Sequence, residues 1–395
     1  MTTNKVFIIG GLGHVGLTLA AVLSKYFPVI CYDINKDAIS LFSKFNEATF
    51  YEPHLDEILK NRTIEVTQDR DKIKDCKWIV ITIGTTIDEY GNPRLNNIFE
   101  MIKGWIPYLT EDMTIVMRST VYPGVTKKIE KLLRQRGVKS LVTFCPERTA
   151  ENKMIEELMI LPQIISSNSK EGLEEAAKLF QPLKVKLKFL HDTTAGELAK
   201  LFTNSYRYIH FAIANEMFML AHKMGCDFYS IYDAIVDEYP RMKSFPKPGF
   251  TAGYCLRKDT LQLTSWDYQQ FSLGYDATIV NENLPLFLFR KIREKYGDLS
   301  ESRVGLLGMA FKPDSDDIRD SLAFRMKKIL ENECSQVLCT DSHVVDIDGI
   351  FVGLEDFLDS CDIIVLTCPH SDYKDLEFTC PVVDVWNFYG RGPGI

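Results

Sequence analysis

No apolar run in the 395 residues approaches the roughly 18 that a membrane helix needs, so no membrane span is expected. The opening Met1-Thr2-Thr3-Asn4-Lys5 leads straight into a strand and lacks the shape of a signal peptide. The ten cysteines are scattered, with no Cys-x-x-Cys pair and no His-rich spacing. Neither a zinc site nor a disulfide framework is signalled, and no metal is expected. These absences point to a cytoplasmic protein with reduced thiols. Positive charge is also short: the net charge is -8, which argues against a nucleic-acid partner. A local basic pocket for a phosphorylated ligand remains open. What is present is ordinary for a globular chain, with 46% hydrophobic and 25% charged residues. The length suggests two or three domains with cores that need no covalent staple.

Residues 1–190 read as a nucleotide-binding domain. Lys5-Val6-Phe7-Ile8-Ile9-Gly10 is a short apolar run, as in a strand buried on both faces. Gly11-Leu12-Gly13-His14-Val15-Gly16 follows, then a helical stretch. Gly11 is assigned the tight turn, Gly13 the close approach of a pyrophosphate, and Gly16 helix–strand packing. Pro28-Val29-Ile30-Cys31-Tyr32-Asp33 is the next strand, and Asp33 ends it about 20 residues past the first glycine. A carboxylate there accepts the ribose hydroxyls of NAD and repels the extra phosphate of NADP. Further apolar runs at residues 78–83, 114–117 and 141–144 alternate with helical segments, predicting a parallel doubly wound sheet. Ligands of such sheets lie at the carboxyl ends of the strands. Those ends carry Gly84-Thr85-Thr86, Arg118-Ser119-Thr120 and Cys145-Pro146-Glu147-Arg148. Thr120 is a candidate for chemistry or a helix cap; Glu147 is a candidate for chemistry or an ion pair with a nearby Arg.

Residues 191–300 read as helical. A pattern from Thr194 to about Met224 carries Ala195, Leu198, Ala199, Leu201, Phe202 and Tyr206 as an apolar stripe. Lys200 and Asn204 interrupt it and, four residues apart, share a face. Lys200 is otherwise a solvated cation. The stretch from Phe245 to Asp259 holds a lone thiol, Cys255, after Pro246, Pro248, Gly249 and Gly253, with Lys258 and Asp259 three and four residues on. A helix resumes at Leu261 and Leu263, so Cys255 is predicted near a helix N-terminus, where peptide dipoles favour a thiolate. On spacing alone the alternative is a small buried thiol.

Residues 301–395 read as a second, smaller doubly wound unit, with strands near Arg303–Met309, Val337–Asp341, residues 362–367 and residues 382–386. Its first turn lacks the glycine triplet, so no second NAD is expected. Lys312 and Arg319 are candidates to clamp a diphosphate, or are surface partners of Asp314, Asp316 and Asp317.

Taken together, the chain resembles, over nearly its full length, the UDP-glucose/GDP-mannose dehydrogenase family of nucleotide-sugar 6-dehydrogenases. The matching stretches are residues 11–16, Phe50-Tyr51-Glu52-Pro53, residues 119–126, Pro146-Glu147-Arg148, residues 200–204, Ala214-Asn215-Glu216, residues 253–259 and residues 308–313. The resemblance implies an α/β fold of two doubly wound Rossmann-like domains joined by a long central helix and a helical middle domain. It implies four-electron oxidation of a sugar C6 hydroxyl to the carboxylate with two NAD in turn. Cys255 matches the nucleophile that captures the aldehyde as a thiohemiacetal and then carries a thioester. Lys200 and Asn204 match an oxyanion pair, and Asp259 and Thr120 match groups that position water or assist proton transfer. Glu147 matches a carboxylate of the hydrolytic half. Gly11, Gly13, His14, Val15, Gly16, Asp33, Thr85 and Thr120 fall to the NAD site. Glu147, Arg148, Lys200, Asn204, Arg241, Phe250, Gly253, Lys312 and Arg319 fall to the UDP-sugar, with Arg241 reaching the site of the other subunit of a homodimer built on the central helix.

Residues 120–126 and Thr86-Ile87-Asp88-Glu89 resemble the UDP-N-acetylhexosamine branch, whereas Tyr254-Cys255-Leu256 and Lys258-Asp259-Thr260 resemble some UDP-glucose enzymes. The first is favoured, with products bound for cell-surface polysaccharide. Several residues depart from the family. Phe250 and Ala252 replace glycines, Arg257 and Thr86 stand where proline is usual, and the Pro-Gly after Arg148 is missing. Phe250 is expected to add bulk beside the sugar. The rivals are a non-catalytic nucleotide-sugar binder and a two-electron hydroxyacid dehydrogenase, which needs neither Cys255 nor a second nucleotide domain.

Overall fold

A computed structural model describes residues 3–88, 94, 96–250, 253–267, 270–345 and 349–395. The chain forms two compact units, Met1–Thr203 and Asn204–Ile395. In the first, the elements are β1 (Thr3–Ile9), α1 (His14–Leu23), β2 (Val29–Tyr32), α2 (Lys36–Phe45), α3 (Leu55–Lys60), β3 (Glu65–Thr67), β4 (Cys76–Ile81) and α4 (Asn96–Trp105). They continue with β5 (Thr114–Met117), α5 (Val125–Gln135), β6 (Leu141–Phe144), α6 (Met154–Leu158), β7 (Gln163–Ser167), α7 (Lys170–Phe180) and β8 (Leu187–Leu190). Helix α8 (Thr193–Lys223) is continuous, and the boundary between the units falls inside it.

The sheet order is β3-β2-β1-β4-β5-β6-β7-β8. Side chains alternate along each strand, so Val6 and Ile8 join Trp78, Val80 and Val116 in one core, while Phe7 and Ile9 join Ile79, Ile81, Ile115 and Met117 in another. Both faces are therefore covered, which is why these strands read as unbroken apolar runs. The strands expected from the sequence, β1, β2, β4, β5 and β6, pair in parallel, whereas β6 and the further strand β7 run antiparallel through Thr143 and Ser167. Their connection holds only the five-residue α6, whose Ile155 and Leu158 pack into the core that α1 lines. From β1 the chain winds one way through β2 and β3, then the other way from β4, leaving a switch point at the carboxyl ends of β1 and β4.

The second unit continues with α9 (Phe228–Val236), α10 (Tyr254–Trp266), α11 (Ser272–Tyr296), β9 (Arg303–Leu307), α12 (Leu322–Leu330), β10 (Gln336–Thr340), α13 (Leu354–Ser360), β11 (Ile363–Leu366) and β12 (Val382–Val383). Its sheet, β10-β9-β11-β12, is parallel throughout. Phe218, Phe228, Leu284, Leu288 and Ile292 share one core with Val304, Leu306 and Val365. The later part of α8 and helices α9, α11 and α12 thus bury apolar residues in a core shared with this sheet. Helix α11 starts at Ser272, before the expected Asn281, and takes Pro285 into its interior. No helix among the described residues is long and apolar enough to cross a membrane.

Candidate active site

The glycine turn occupies the switch point of the first sheet. The residue in the left-handed region is Gly10, at φ +81, which corrects the assignment of the tight turn to Gly11. Gly11 is instead the point of closest packing: a Cβ there would lie 2.6 Å from Cβ of Cys31. At Gly16 a Cβ would lie 2.2 Å from the Gly10 carbonyl oxygen, so helix and turn approach as a dinucleotide fold requires. Gly13 caps α1 without a side-chain hydrogen bond, and the first turn holds no acid. The amides of His14, Val15 and Gly16 thus begin a helix that suits an anion. Asp33 accepts from the Leu12 amide at 3.0 Å through Oδ2, and from the Ile34 and Asn35 amides through Oδ1. A carboxylate offers about four acceptor positions, so one remains for a ribose hydroxyl. Thr82 donates to the carbonyls of Ile9 and Gly10, fixing the loop that leads to half-buried Thr85 against the turn. The His14 ring stacks on Phe50 at 4.0 Å and lies 3.5 Å from Glu151. The tight glycines, the open helix start and the partly available Asp33 fit NAD.

Thr120 follows β5 and is half-buried. It caps no helix, because α5 starts at Val125 behind Gly124. The loop is anchored by a residue that sequence reasoning missed. Glu197 of α8, fully buried, accepts from the Gly124 amide, the Thr126 amide at 2.7 Å and the Thr126 hydroxyl at 2.6 Å. Burial pushes its carboxyl up to about 7 in spite of these bonds. The available signal was an acid set among Ala195, Leu198 and Ala199.

Glu147 is the ion-pair partner that the alternative reading anticipated. Its Oε2 accepts from Nε and Nη2 of Arg118, and its Oε1 from the Arg148 and Thr149 amides. Arg118 is 2% exposed and also donates to Gln163 and the Cys145 carbonyl. Burial works against the Glu147 carboxylate, but Arg118 and the two amides hold its pKa below the ordinary value. With these acceptor positions filled, Glu147 is held as an anion beside Arg118. Arg148 is likewise engaged, donating to the Pro162 carbonyl. Lys200 is half-buried on α8 and has no hydrogen-bond or ion-pair partner among the described residues.

In the second unit the described residues that flank Cys255 in the loop are closely packed. Asn215 of α8 grips Gly249, accepting from its amide at 2.8 Å and donating to its carbonyl at 3.2 Å, and donates also to Asn281. A Cβ on Gly249 would lie 2.1 Å from the Trp386 ring. Phe250 is 3% exposed and packs in the apolar core with Phe218 and Leu288. This corrects its assignment to the sugar site: its bulk fills the core. Thr251 and Ala252 lie outside the described residues. Gly253, at φ +78, caps α10, and a Cβ there would meet the Phe311 ring at 2.6 Å.

Cys255 follows as the second residue of α10 and is exposed, so it is not a small buried thiol. The next turn of the same helix carries a polar cluster. Asn204 donates to Oδ2 of Asp259 at 2.5 Å, and Lys258 donates to Oδ1 at 2.6 Å. All three are at most 4% exposed. Burial works against the Lys258 ammonium, but the Asp259 carboxylate more than offsets it and raises the lysine pKa. Lys258 is the second residue that sequence reasoning left unassigned. Arg241 is exposed and donates to the Tyr239 hydroxyl.

At the carboxyl ends of β9 and β11, Gly308 takes φ +89, and a Cβ there would lie 2.4 Å from the Cys368 carbonyl oxygen. Asp341 follows β10 as Asp33 follows β2. Here the carboxylate accepts from the amides of Met309, Ala310, His343 and Val344 and from Nε2 of His370. No acceptor remains for a ribose. Burial opposes the charge, but His370 and the amides bring its pKa down to about 2. Asp314, His343 and His370 bring possible ligand atoms within 4.8 Å of one another. Both nitrogens of His370 are already used, because Nδ1 accepts from the Asp314 amide. Lys312 is half-buried. Arg319 pairs with Asp317, with Nε 2.9 Å from both oxygens, and its guanidinium lies 5.0 Å over the Tyr254 ring.

The comparisons follow this division. Models of the UDP-glucose/GDP-mannose dehydrogenase family match residues 4–184 as the NAD binding domain, 194–283 as the central domain and 305–391 as the UDP binding domain. A UDP-N-acetyl-D-mannosamine dehydrogenase of Pyrococcus horikoshii is 29% identical over 383 residues, 93% of this chain and 90% of that one. One from Methanocaldococcus jannaschii is 27% identical over 383 residues, covering 95% and 88%. The solved structure of UDP-D-ManNAc dehydrogenase from Pyrococcus horikoshii superposes with a TM-score of 0.90 at 27% identity, over 98% of this chain and 97% of that one. A UDP-glucose dehydrogenase from Pyrobaculum islandicum shares the fold, with a TM-score of 0.90 at 22% identity over 98% and 95%.

Proposed function

This chain belongs to the UDP-glucose/GDP-mannose dehydrogenase family and is an NAD-dependent nucleotide-sugar dehydrogenase, and from that premise we propose that it oxidises the C6 hydroxyl of a UDP-N-acetylhexosamine to the carboxylate through Cys255. The observation that carries the mechanism is the exposed thiol at the start of α10, one turn before buried Lys258 and Asp259, with Asn204 bonded to Asp259. The substrate reading rests on the relatives named for UDP-N-acetyl-D-mannosamine. UDP-glucose is the alternative.

NAD, when bound, accepts the hydride released at each of the two oxidations. The glycine turn and α1 would hold its diphosphate, and Asp33 its ribose. Cys255 attacks the C6 aldehyde, forming a carbon–sulfur bond. The helix start favours the thiolate both as attacker and as leaving group. Lys200 and the second amide hydrogen of Asn204 stabilise the oxyanion at C6. Once oxidised, the thiohemiacetal is a thioester, and water cleaves it to the acid and the free thiol. Asp259 is held for this step by Lys258 and Asn204, and Thr120 places the reacting group. Lys312 and Arg319 clamp the diphosphate of the substrate.

The enzyme acts as a homodimer and supplies uronates for cell-surface polysaccharide. Tyr206, Ile213, Met217 and Leu220 are large, apolar and exposed along α8, and exposed Met224 follows its last residue. Their spacing makes one stripe, the kind of surface that a second copy covers. Arg241 is the residue assigned to reach across.

NADH yield tests the chemistry. Two NADH per sugar are expected with UDP-N-acetylmannosamine or a related UDP-N-acetylhexosamine, and Cys255→Ala is expected to form no acid while still binding NAD. One NADH per sugar, or acid formed normally by Cys255→Ala, sinks the mechanism. Turnover of UDP-glucose alone moves the substrate assignment to that sugar.

A further inference from the structure

The structure gives Arg257 specific work. It lies one turn into α10, two residues past Cys255. Its Nε donates to Oε1 of Glu282 on α11 at 2.9 Å, and its Nη1 lies 3.5 Å from Asp320 in the loop between β9 and α12. Glu282 is shared with Arg325 of α12 at 2.5 Å. Asp320 adjoins Arg319, whose guanidinium covers Tyr254, the first residue of α10. Phe311 of the same loop packs against Gly253. Phe311 on Gly253, Arg319 on Tyr254 and Asp320 on Arg257 therefore all join the first turn of the nucleophile's helix to one loop. The last is an ion pair extended into two further helices. The side chains of Arg257 and Glu282 are 26% and 19% exposed, so water screens this pair less than a surface pair.

We propose that Arg257 is a positioning residue that ties the start of α10 to the loop after β9, so that a nucleoside diphosphate bound by that loop sets the placement and reactivity of the Cys255 thiol. The inference rests on the reading that Lys312 and Arg319 hold the substrate's diphosphate. A diphosphate that draws on Arg319 acts on the same few residues that bear on Tyr254 and Arg257. The energetic link is a difference in diphosphate affinity between two arrangements of this loop.

The probe is UDP itself, which lacks the sugar and so cannot shield the thiol as substrate does. Alkylation of Cys255 by iodoacetamide is followed by mass spectrometry of its peptide, which separates it from exposed Cys226. UDP binding is measured in parallel by calorimetry. Saturating UDP is expected to change the alkylation rate of the wild type by at least about fivefold, the lower range of site-to-site coupling. In Arg257→Ala the change falls below about twofold while UDP still binds, and Arg257→Lys recovers part of it. If UDP binds the wild type without altering the rate, the proposal fails and the diphosphate reading stands. A full response in Arg257→Ala also overturns it. If UDP does not bind at all, the diphosphate reading fails and the proposal with it. Should Arg257→Ala not fold, Asp320→Asn removes one partner only and is expected to lose the same response; its full retention overturns the proposal.

Discussion

Lys258 is an ammonium with 3% of its surface in contact with solvent, held by a carboxylate from the adjacent residue. Such a pair adds little net stability, since desolvation consumes most of the attraction, but breaking it strands a charge. Asp259→Asn is therefore expected to destabilise the protein by about 3–5 kcal/mol. The double replacement Lys258→Met with Asp259→Leu, which removes both charges, is expected to melt higher than the single one. Thermal denaturation decides, and equal melting temperatures for the two variants would count against the buried pair. This residue was legible only as a name in a motif. Neighbouring charges in a sequence are usually both solvated, and nothing local to Lys258 and Asp259 reports that Asn204 of a distant helix closes over them. Phe250 failed in the opposite sense: read as bulk beside a substrate, it fills a core assembled from α8, α11 and β9.

Between elements, Glu197 is the clearest joint, capping the start of α5 from α8. Its carboxyl is raised from 4.5 to about 7, chiefly by burial. The folded state thus holds the proton more tightly than the unfolded chain. That contribution to stability is complete below about pH 4.5 and is lost as pH rises through about 7. Over this window the stability of wild type relative to Glu197→Gln is expected to fall by about 3 kcal/mol. Paired denaturation curves at several pH values measure it, and a pH-independent difference would refute it. At this scale much of the fold was readable. β1, β2, β4, β5 and β6 are apolar runs because both sheet faces are covered, and α10 begins where the Pro- and Gly-rich approach ends. The unreadable strands lie away from the centre. β8 is the edge strand Leu187–Leu190, with two of its four residues exposed, and β7 beside it ends in Ser166 and Ser167, so neither carries a strong pattern.

For the whole molecule, the exposed stripe on α8 makes the assembly testable. Met217→Arg with Leu220→Glu is expected to convert a dimer into a monomer in light scattering at micromolar concentration, with the melting temperature lowered. A wild type that is monomeric under the same conditions removes the dimer from the reading. The strand, turn and terminal acid that each nucleotide unit repeats were legible. Different occupancy of those acids was not: Asp33 keeps an acceptor position, whereas Asp341 is filled by five donors. One feature at this scale bears on how such a protein can change over generations. Helix α8 runs unbroken through the junction at Thr203 and Asn204. There is no loop at that junction for a protease to nick or for a recombination joint to fall harmlessly. A relative's first unit can be grafted here only if the crossover lies outside the helix, before Thr193 or after Lys223. Lys200 and Asn204 then descend together, inherited as one cassette with the turn of helix that spaces them.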